Sequence, residues 1–187
     1  MTRPRVLLDV DGVLADFVGH TLSMLGDLAP AGGRDAFTSW DMLSAMSPRA
    51  RAETEARWRR QGWCLTMPVC PGAQNAVDRI GLRADVVYVT APMRGAPHWM
   101  YERWLWLERQ FAADARAVVF AHGKALVSGD VFVDDRVENI DEWAAAHPNG
   151  AALLWDAPYN RHCVPSAPNA VRVTTWVDVI GAVARYW

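Results

Sequence analysis

The sequence alternates short apolar runs with segments of helical pattern, and this alternation constrains its fold more than any other feature. Runs rich in Val and Leu predict strands at residues 5–9, 85–90, 117–120, 131–134 and 151–155. Helical patterns occupy residues 97–111, 137–146 and 174–186. Because near-continuous apolar strands that alternate with helices are typical of parallel sheets covered on both faces, we predict an α/β fold with a Rossmann-like parallel sheet.

One long segment interrupts this alternation early in the chain. Helix signals follow one another through residues 16–80, where Ser47-Pro48 is a typical helix start and Gly62 a typical stop. We therefore predict a small helical cap at residues 16–80, inserted after the first strand. Residues 1–15 and 81–187 would form the core, since a chain of 187 residues suits one domain with a modest insertion.

The helix predicted at residues 97–111 carries an apolar stripe. Met100, Trp104, Leu107 and Phe111 recur at i, i+4, i+7 and i+11, which is the spacing of one helix face. We predict that this face packs against the sheet, and we assign Trp143 of the following helix to the core as well.

Composition and charge exclude several classes of protein. Apolar residues make up 51% of the chain and charged residues 21%, which is typical of a folded globular domain. A net charge of −2 argues against binding a nucleic-acid polymer or an anionic membrane, and no apolar run approaches the roughly 20 residues of a membrane span. Three scattered cysteines do not form a disulfide framework, so we expect reduced thiols and a cytoplasmic location.

Polar side chains follow several of the predicted strands at the point where each strand ends. Asp9 and Asp11 follow the first strand, Thr90 ends the second, Lys124 comes shortly after the third, and Asp134-Asp135 end the fourth. Ligands of parallel sheets bind at this edge. Four converging carboxylates repel one another unless a cation lies among them, and oxygen ligands suit Mg²⁺. The pattern therefore predicts a Mg²⁺ site, with a lysine and a hydroxyl beside it for an anion.

In this order, these residues resemble the four motifs of the haloacid dehalogenase (HAD) superfamily of phosphotransferases. Six segments are further similar to the 5′(3′)-deoxyribonucleotidases: LLDVDGVLADF (7–17), PGA (71–73), VTAP (89–92), MYERWLWLERQF (100–111), VFVDDRVEN (131–139) and TTWVDVI (174–180). The chain departs from the family pattern around residues 37–46 and at Arg103, where the resemblance leads us to expect lysine.

The resemblance implies a role for each motif residue. Asp9 would be the nucleophile that forms an aspartyl phosphate, and Asp11 the general acid and base. Mg²⁺ would be held by Asp9, the backbone carbonyl of Asp11 and the Asp134-Asp135 pair, with Asp135 as the expected direct ligand and Asp134 in support. The division of labour within that pair stays open. Thr90 and Lys124 would hold phosphate oxygens.

The resemblance also implies a substrate. Phe17, the segment 37–40 that ends at Trp40, and Trp58 match aromatic positions that surround the base and sugar in deoxyribonucleotidases. We expect an enzyme that dephosphorylates nucleoside monophosphates, deoxyribonucleotides above all. Base, sugar and ester position stay open, as does the number of subunits, with a homodimer among the options.

Two alternative functions compete with this interpretation, and two of the residues have simpler interpretations of their own. A phosphatase of the same superfamily that acts on another small phosphate ester is the nearest. A non-enzymatic receiver domain also combines acidic residues, Thr and Lys around Mg²⁺, but its acidic pair lies at the first strand, whereas here the pair closes the set. Taken singly, Asp135 is equally well explained as a helix N-cap, and Trp58 as packing between cap and core.

Overall fold

A computed structural model describes residues 3–187, so the first two residues of the predicted core range 1–15 lie outside the described part. Six parallel strands form one sheet in the order β3-β2-β1-β4-β5-β6. The strands are β1 (Arg5–Leu8), β2 (Asp85–Thr90), β3 (Val118–Phe120), β4 (Val131–Asp134), β5 (Ala151–Trp155) and β6 (Ala170–Val173). This is the predicted Rossmann-like α/β sheet, with one more strand, β6, than the sequence pattern indicated.

Six α-helices accompany the strands: α1 (Phe17–Leu25), α2 (Pro48–Trp58), α3 (Ala73–Gly81), α4 (Trp99–Phe111), α5 (Val137–Ala146) and α6 (Trp176–Val183). Their starts follow the sequence signals. The Ser47 side chain accepts a hydrogen bond from the Ala50 amide, with Pro48 as the first helical residue. Thr175 and Asp178 form a reciprocal capping box at the start of α6, which satisfies two otherwise unpaired backbone amides.

Apolar side chains cover both faces of the sheet. Successive residues of a strand point to opposite faces, so Val6 and Leu8 pack in one buried cluster and Leu7 in another. The second cluster contains Trp143 of α5, which is fully buried as predicted.

The segment 16–80 divides between two surroundings. Helices α1 and α2 pack on each other, and Val18, Phe37 and Met46 form a separate small core with Tyr159. Helix α3 instead packs against β2 and α6 at the sheet. The division of the chain into a core and a cap at residues 16–80 stays a prediction. Within this segment, α3 is the helix that packs against the sheet rather than with α1 and α2.

Helix α4 is rotated relative to the predicted stripe. Met100 is half exposed, whereas Trp99, Arg103, Trp106 and Leu107 are buried. Assigning the stripe to the core was therefore wrong at Met100 and Trp104, whereas Leu107 is buried and Phe111 packs half-buried against the core. The buried face of the helix carries Trp106, whose indole N–H donates to a backbone carbonyl, and Arg103. Because Arg103 is charged, a search for apolar spacing does not find this face.

Across residues 3–187, none of the helices combines the length and apolar character required to cross a membrane.

Candidate active site

Three buried carboxylates meet at the carboxyl ends of β1 and β4. Asp9 directly follows β1, while Asp134 ends β4 and Asp135 comes next. Strand β1 pairs in parallel with β4, so Leu8 lies beside Val133 and the residues that follow are neighbours. One oxygen from each carboxylate lies within 4.8 Å of the other two. Three of the four carboxylates predicted to converge therefore do so, whereas the Asp11 carboxylate pairs with Arg103 instead.

Lys124 lies between two of these carboxylates. It occupies a short 3₁₀ turn after β3, and its Nζ is 2.6 Å from Asp9 Oδ1 and 2.6 Å from Asp134 Oδ2. Burial acts to lower the pKa of Lys124, but the two carboxylates outweigh it and raise the pKa above its ordinary value. Lys124 is thus a fixed positive charge at the floor of the site.

Asp134 and Asp135 have different hydrogen-bond partners. Both Asp134 oxygens are engaged, since they accept from Lys124, from Asn139 Nδ2 at 3.1 Å and from the Arg136 amide at 2.8 Å. Asp135 Oδ2 accepts from the Tyr159 hydroxyl, while Asp135 Oδ1 is buried and finds no partner within the described chain. Asp134 is therefore engaged with Lys124, whereas the Oδ1 atom of Asp135 is available to bind a ligand.

The cluster is electrostatically costly as it stands. Burial raises the pKa of Asp9 to about 7, and the neighbouring Asp134 and Asp11 carboxylates act in the same direction. Lys124 opposes this shift. Burial and the same kind of repulsion raise the pKa of Asp135 well above its ordinary range. A hard divalent cation stabilises several carboxylate oxygens at once, and Asp135 Oδ1 is a ligand atom ready for it. The donor set therefore fits Mg²⁺.

The turn after β1 brings backbone close to this cluster. Gly12 has φ +86°, a conformation that favours glycine. A Cβ at this position would also collide with Asp135 Oδ2 and lie 2.6 Å from the Tyr159 hydroxyl. Both the backbone angle and the available space therefore require glycine at position 12.

Asp11 is held from the other side by an arginine of α4. Its carboxylate pairs with Arg103, whose side chain is fully buried and lies 4.9 Å from the ring centre of Trp99 and 5.2 Å from that of Trp106. Burial raises the pKa of Asp11, and the Arg103 charge opposes that shift. The departure from lysine noted in the sequence therefore lies inside the site, in direct contact with Asp11.

Thr90 ends β2, on the other side of β1 from the Asp134-Asp135 pair. Its side chain is fully buried, and its Oγ1 hydroxyl makes no hydrogen bond to any part of residues 3–187. A buried hydroxyl without a partner is unfavourable unless a ligand supplies one. Thr90 is thus a free donor at the edge where the sequence placed it.

An apolar cleft of about 370 Å³ opens beside Asp11, Gly12 and Asp135. Phe17, Trp40 and Trp58, the three aromatic residues selected from the sequence, all line it. Trp58 is also part of the packing, since its indole N–H donates to Thr21 Oγ1 at 3.0 Å and its ring lies 5.1 Å from that of Phe17. Both interpretations of Trp58 are thus compatible with its position.

Sequence reasoning missed Tyr159 and Trp99, and it gave Arg103 no role in the site. Tyr159 lies four residues beyond the end of β5, so applying the strand-end rule to β5 would have found it. Arg103 was noted only as a departure from lysine, and Trp99 had no signal, because both belong to a helix whose Arg103 reaches Asp11, with Trp99 beside it, only through the tertiary fold.

The parallel sheet and the carboxylates at its strand ends are those of the HAD-type hydrolases, which is the class of protein to which this fold belongs. In agreement, the fold matches that of a HAD hydrolase of Bacillus subtilis solved bound to magnesium, with a TM-score of 0.60 and 13% identity over 98% of this chain and 99% of that one.

More particularly, residues 3–186 match the family described as 5′ nucleotidase, deoxy (Pyrimidine), cytosolic type C protein, and the chain belongs to this family. A mouse mitochondrial 5′(3′)-deoxyribonucleotidase is 28% identical over 183 residues, which cover 93% of this chain and 82% of the relative. A Bordetella bronchiseptica protein, named as a candidate 5′(3′)-deoxyribonucleotidase, is 32% identical over 162 residues, covering 83% and 85% of the two chains. The chain is thus an enzyme, a hydrolase of phosphate monoesters.

Proposed function

We propose that this enzyme is a Mg²⁺-dependent 5′(3′)-deoxyribonucleotidase that works through an aspartyl phosphate on Asp9. One observation supports the proposal above all: the buried cluster of Asp9, Asp134, Asp135 and Lys124 adjoins a cleft walled by aromatic side chains. The cluster suits a phosphate, and the cleft has the volume of a small-molecule site. Together they suit a phosphate ester whose alcohol carries a flat ring.

Asp9 is the nucleophile of the proposed reaction. Its Oδ1 accepts hydrogen bonds from Lys124 and from the Val10 amide, which leaves Oδ2 to attack phosphorus in line with the leaving oxygen. The bond from Asp9 to phosphorus forms as the phosphorus–ester oxygen bond breaks. A covalent intermediate of this kind divides one difficult hydrolysis into two easier displacements.

Asp11 transfers the protons. In the first step it donates a proton to the departing sugar oxygen, and in the second it accepts one from the water that attacks the aspartyl phosphate. The product is free phosphate, with Asp9 and Asp11 returned to their starting states. Arg103 fixes the orientation of the Asp11 carboxylate, which must face the leaving oxygen and later the water.

The residues that would hold Mg²⁺ are Asp9, Asp135 and the backbone carbonyl of Asp11, with Asp134 in support through Lys124. When bound, the ion offsets the negative charge that carboxylates and phosphate bring together. Thr90 Oγ1 and Lys124 Nζ are the proposed donors to the phosphate oxygens, where they stabilise charge that builds up in the transition state.

Phe17, Trp40 and Trp58 are proposed to contact the base and sugar. Stacking of a base on an aromatic side chain contributes about 1–3 kcal/mol, and it tolerates different bases. The cytoplasmic location and the homodimer stay predictions from the sequence.

Release of inorganic phosphate across a panel of substrates tests the proposal. The panel pairs deoxyribonucleotides with ribonucleotides, 5′ with 3′ monophosphates and pyrimidines with purines, and it adds sugar phosphates. We expect the highest kcat/KM among the deoxyribonucleotides. A sugar phosphate hydrolysed at equal or higher kcat/KM would contradict the nucleotide assignment and favour another small ester.

A further inference from the structure

Tyr159 connects the candidate metal site to the cap segment. Its hydroxyl donates to Asp135 Oδ2, and its side chain is almost completely buried. On its other side the ring packs edge-on against Trp40, with 5.9 Å between ring centres and an angle of 76° between planes. One side chain thus touches both a proposed metal ligand and an aromatic wall of the cleft.

The turn that carries Tyr159 is itself firmly anchored. Asn160 Nδ2 donates to the backbone carbonyl of Asp135 at 2.7 Å and to that of Trp155 at 2.8 Å. Arg172 of β6 donates to Asn160 Oδ1 at 2.7 Å and to its backbone oxygen at 2.8 Å. Asp135 is therefore fixed by neighbouring residues of one turn, through its backbone by Asn160 and through its side chain by Tyr159.

Trp40, by contrast, belongs to a segment without a regular helix or strand. It is 46% exposed, and the Arg136 guanidinium lies 5.3 Å from its ring centre. Arg136 directly follows Asp135, and Tyr159 donates to the Asp135 side chain, so the Trp40 ring contacts two direct neighbours of Asp135. A shift of Trp40 therefore reaches the Asp135 carboxylate through the Tyr159 ring.

We propose that Tyr159 is a positioning residue for Asp135, and that through its contact with Trp40 it couples the cap segment to metal affinity. The inference rests on the proposed function, since it takes Asp135 as a metal ligand. The Tyr159 hydroxyl occupies Oδ2 and so presents Oδ1, the oxygen without a partner among residues 3–187, to the ion. Partners that orient a metal ligand commonly change metal affinity 10–100-fold when removed.

Binding of Mn²⁺ alone, measured by electron paramagnetic resonance without substrate, tests the positioning role. Tyr159→Phe removes only the hydroxyl, and we expect it to weaken Mn²⁺ binding by about 10–100-fold. Tyr88→Phe is the matched control, because Tyr88 is similarly buried but packs against Phe111 of α4, and it should bind Mn²⁺ as the wild type does. Circular dichroism verifies that each variant is folded.

The coupling to the cap is tested with Trp40→Ala and the double variant Trp40→Ala/Tyr159→Phe. We expect Trp40→Ala to weaken Mn²⁺ binding, and to add little once the Tyr159 hydroxyl is gone, because side chains in contact act non-additively.

Two results would overturn the inference. One is wild-type Mn²⁺ affinity in Tyr159→Phe. The other is a loss of Mn²⁺ affinity on Trp40→Ala that is as large in the Tyr159→Phe background as in the wild type. The failure of the metal site itself gives a different pattern. In that case wild-type protein fails to bind Mn²⁺, or Asp135→Asn binds it as tightly as the wild type does.

Discussion

Asp9 illustrates how single side chains are matched to a task at this site. It is a buried carboxylate whose pKa is raised to about 7 by burial and by its acidic neighbours, while Lys124 partly offsets the shift. Lys124 also engages one oxygen and so orients the other. In the proposed mechanism, these surroundings suit Asp9 to act as the nucleophile once a cation and a substrate complete the charge balance.

Replacing Asp9 with Asn should abolish turnover and leave the fold intact. An amide is not a nucleophile for phosphorus, and we expect less than about one hundredth of wild-type kcat, a loss at least as large as the smallest typical of removing one general acid or base. Steady-state phosphate release measures it, with circular dichroism as the folding control. Retention of more activity than this would assign the nucleophile to another residue.

Asp135→Asn should stabilise the metal-free protein in a pH-dependent way. The pKa of Asp135 is raised above 3.8 by burial, so its charged form destabilises the fold increasingly as the pH rises above about 4. The amide lacks this charge, and we expect a gain of roughly 1–3 kcal/mol in the free energy of unfolding at neutral pH. Urea titrations at pH 7.5 and pH 4.5, with a chelator present, should show the gain shrinking at the lower pH. A gain that is equal at both values would exclude the charge as its cause.

At the scale of elements, the proposed mechanism gives the cap segment and the sheet different roles. In that mechanism the strand ends provide phosphate chemistry that is common to every monoester, whereas helices α1 and α2 contribute Phe17 and Trp58 to the cleft wall. Discrimination between substrates should therefore depend on the cap elements more than on the strand ends.

Trp58→Ala tests this division. We expect the KM for nucleotides to rise about 5–150-fold, which corresponds to one lost stacking contact of about 1–3 kcal/mol, and hydrolysis of p-nitrophenyl phosphate to fall less. Trp104→Ala is a control, since Trp104 is a half-buried tryptophan of α4 that does not line the cleft. Equal losses with both substrates would make Trp58 a packing residue only.

Local signals explain which elements were predictable. The strand runs and the helix starts at Ser47 and Thr175 depend on residues adjacent in sequence, and the structure confirms them. Strand β6 was missed because AVRV is short and contains Arg172, whose side chain is needed to anchor Asn160. The buried face of α4 was misassigned because Arg103 enters the interior through its pair with Asp11, a contact 92 residues away in sequence.

At the scale of the whole molecule, the candidate site is a product of sheet topology. Parallel strands end at one edge, so the strand pattern of the sequence is enough to group Asp9, Thr90 and the Asp134-Asp135 pair. Tyr159 follows β5 and so lies at the same edge, but its contact with Asp135 depends on a hydrogen bond formed only when the turn after β5 folds over Gly12. Topology predicts strand-end ligands, whereas the side chains that support them depend on packing.

The assembled enzyme should require Mg²⁺ and be inhibited by Ca²⁺. Ca²⁺ prefers more ligands and longer bonds than Mg²⁺. Ca²⁺ in the site would therefore disturb the in-line arrangement of Asp9 and phosphorus. Phosphate release after exhaustive chelation, followed by addition of each ion, measures the dependence. Full activity in the chelated protein, or equal rates with the two ions, would reject the metal assignment.

The central claim is that phosphate passes through Asp9, and trapping the intermediate tests it most directly. The enzyme is mixed with thymidine 5′-monophosphate labelled with ³²P, quenched in acid within one turnover, and digested for peptide mass spectrometry. We predict a hydroxylamine-sensitive phosphate on Asp9 that is absent in Asp9→Asn. Label on a different residue, or a burst of free phosphate with no labelled enzyme at any time, would contradict the account.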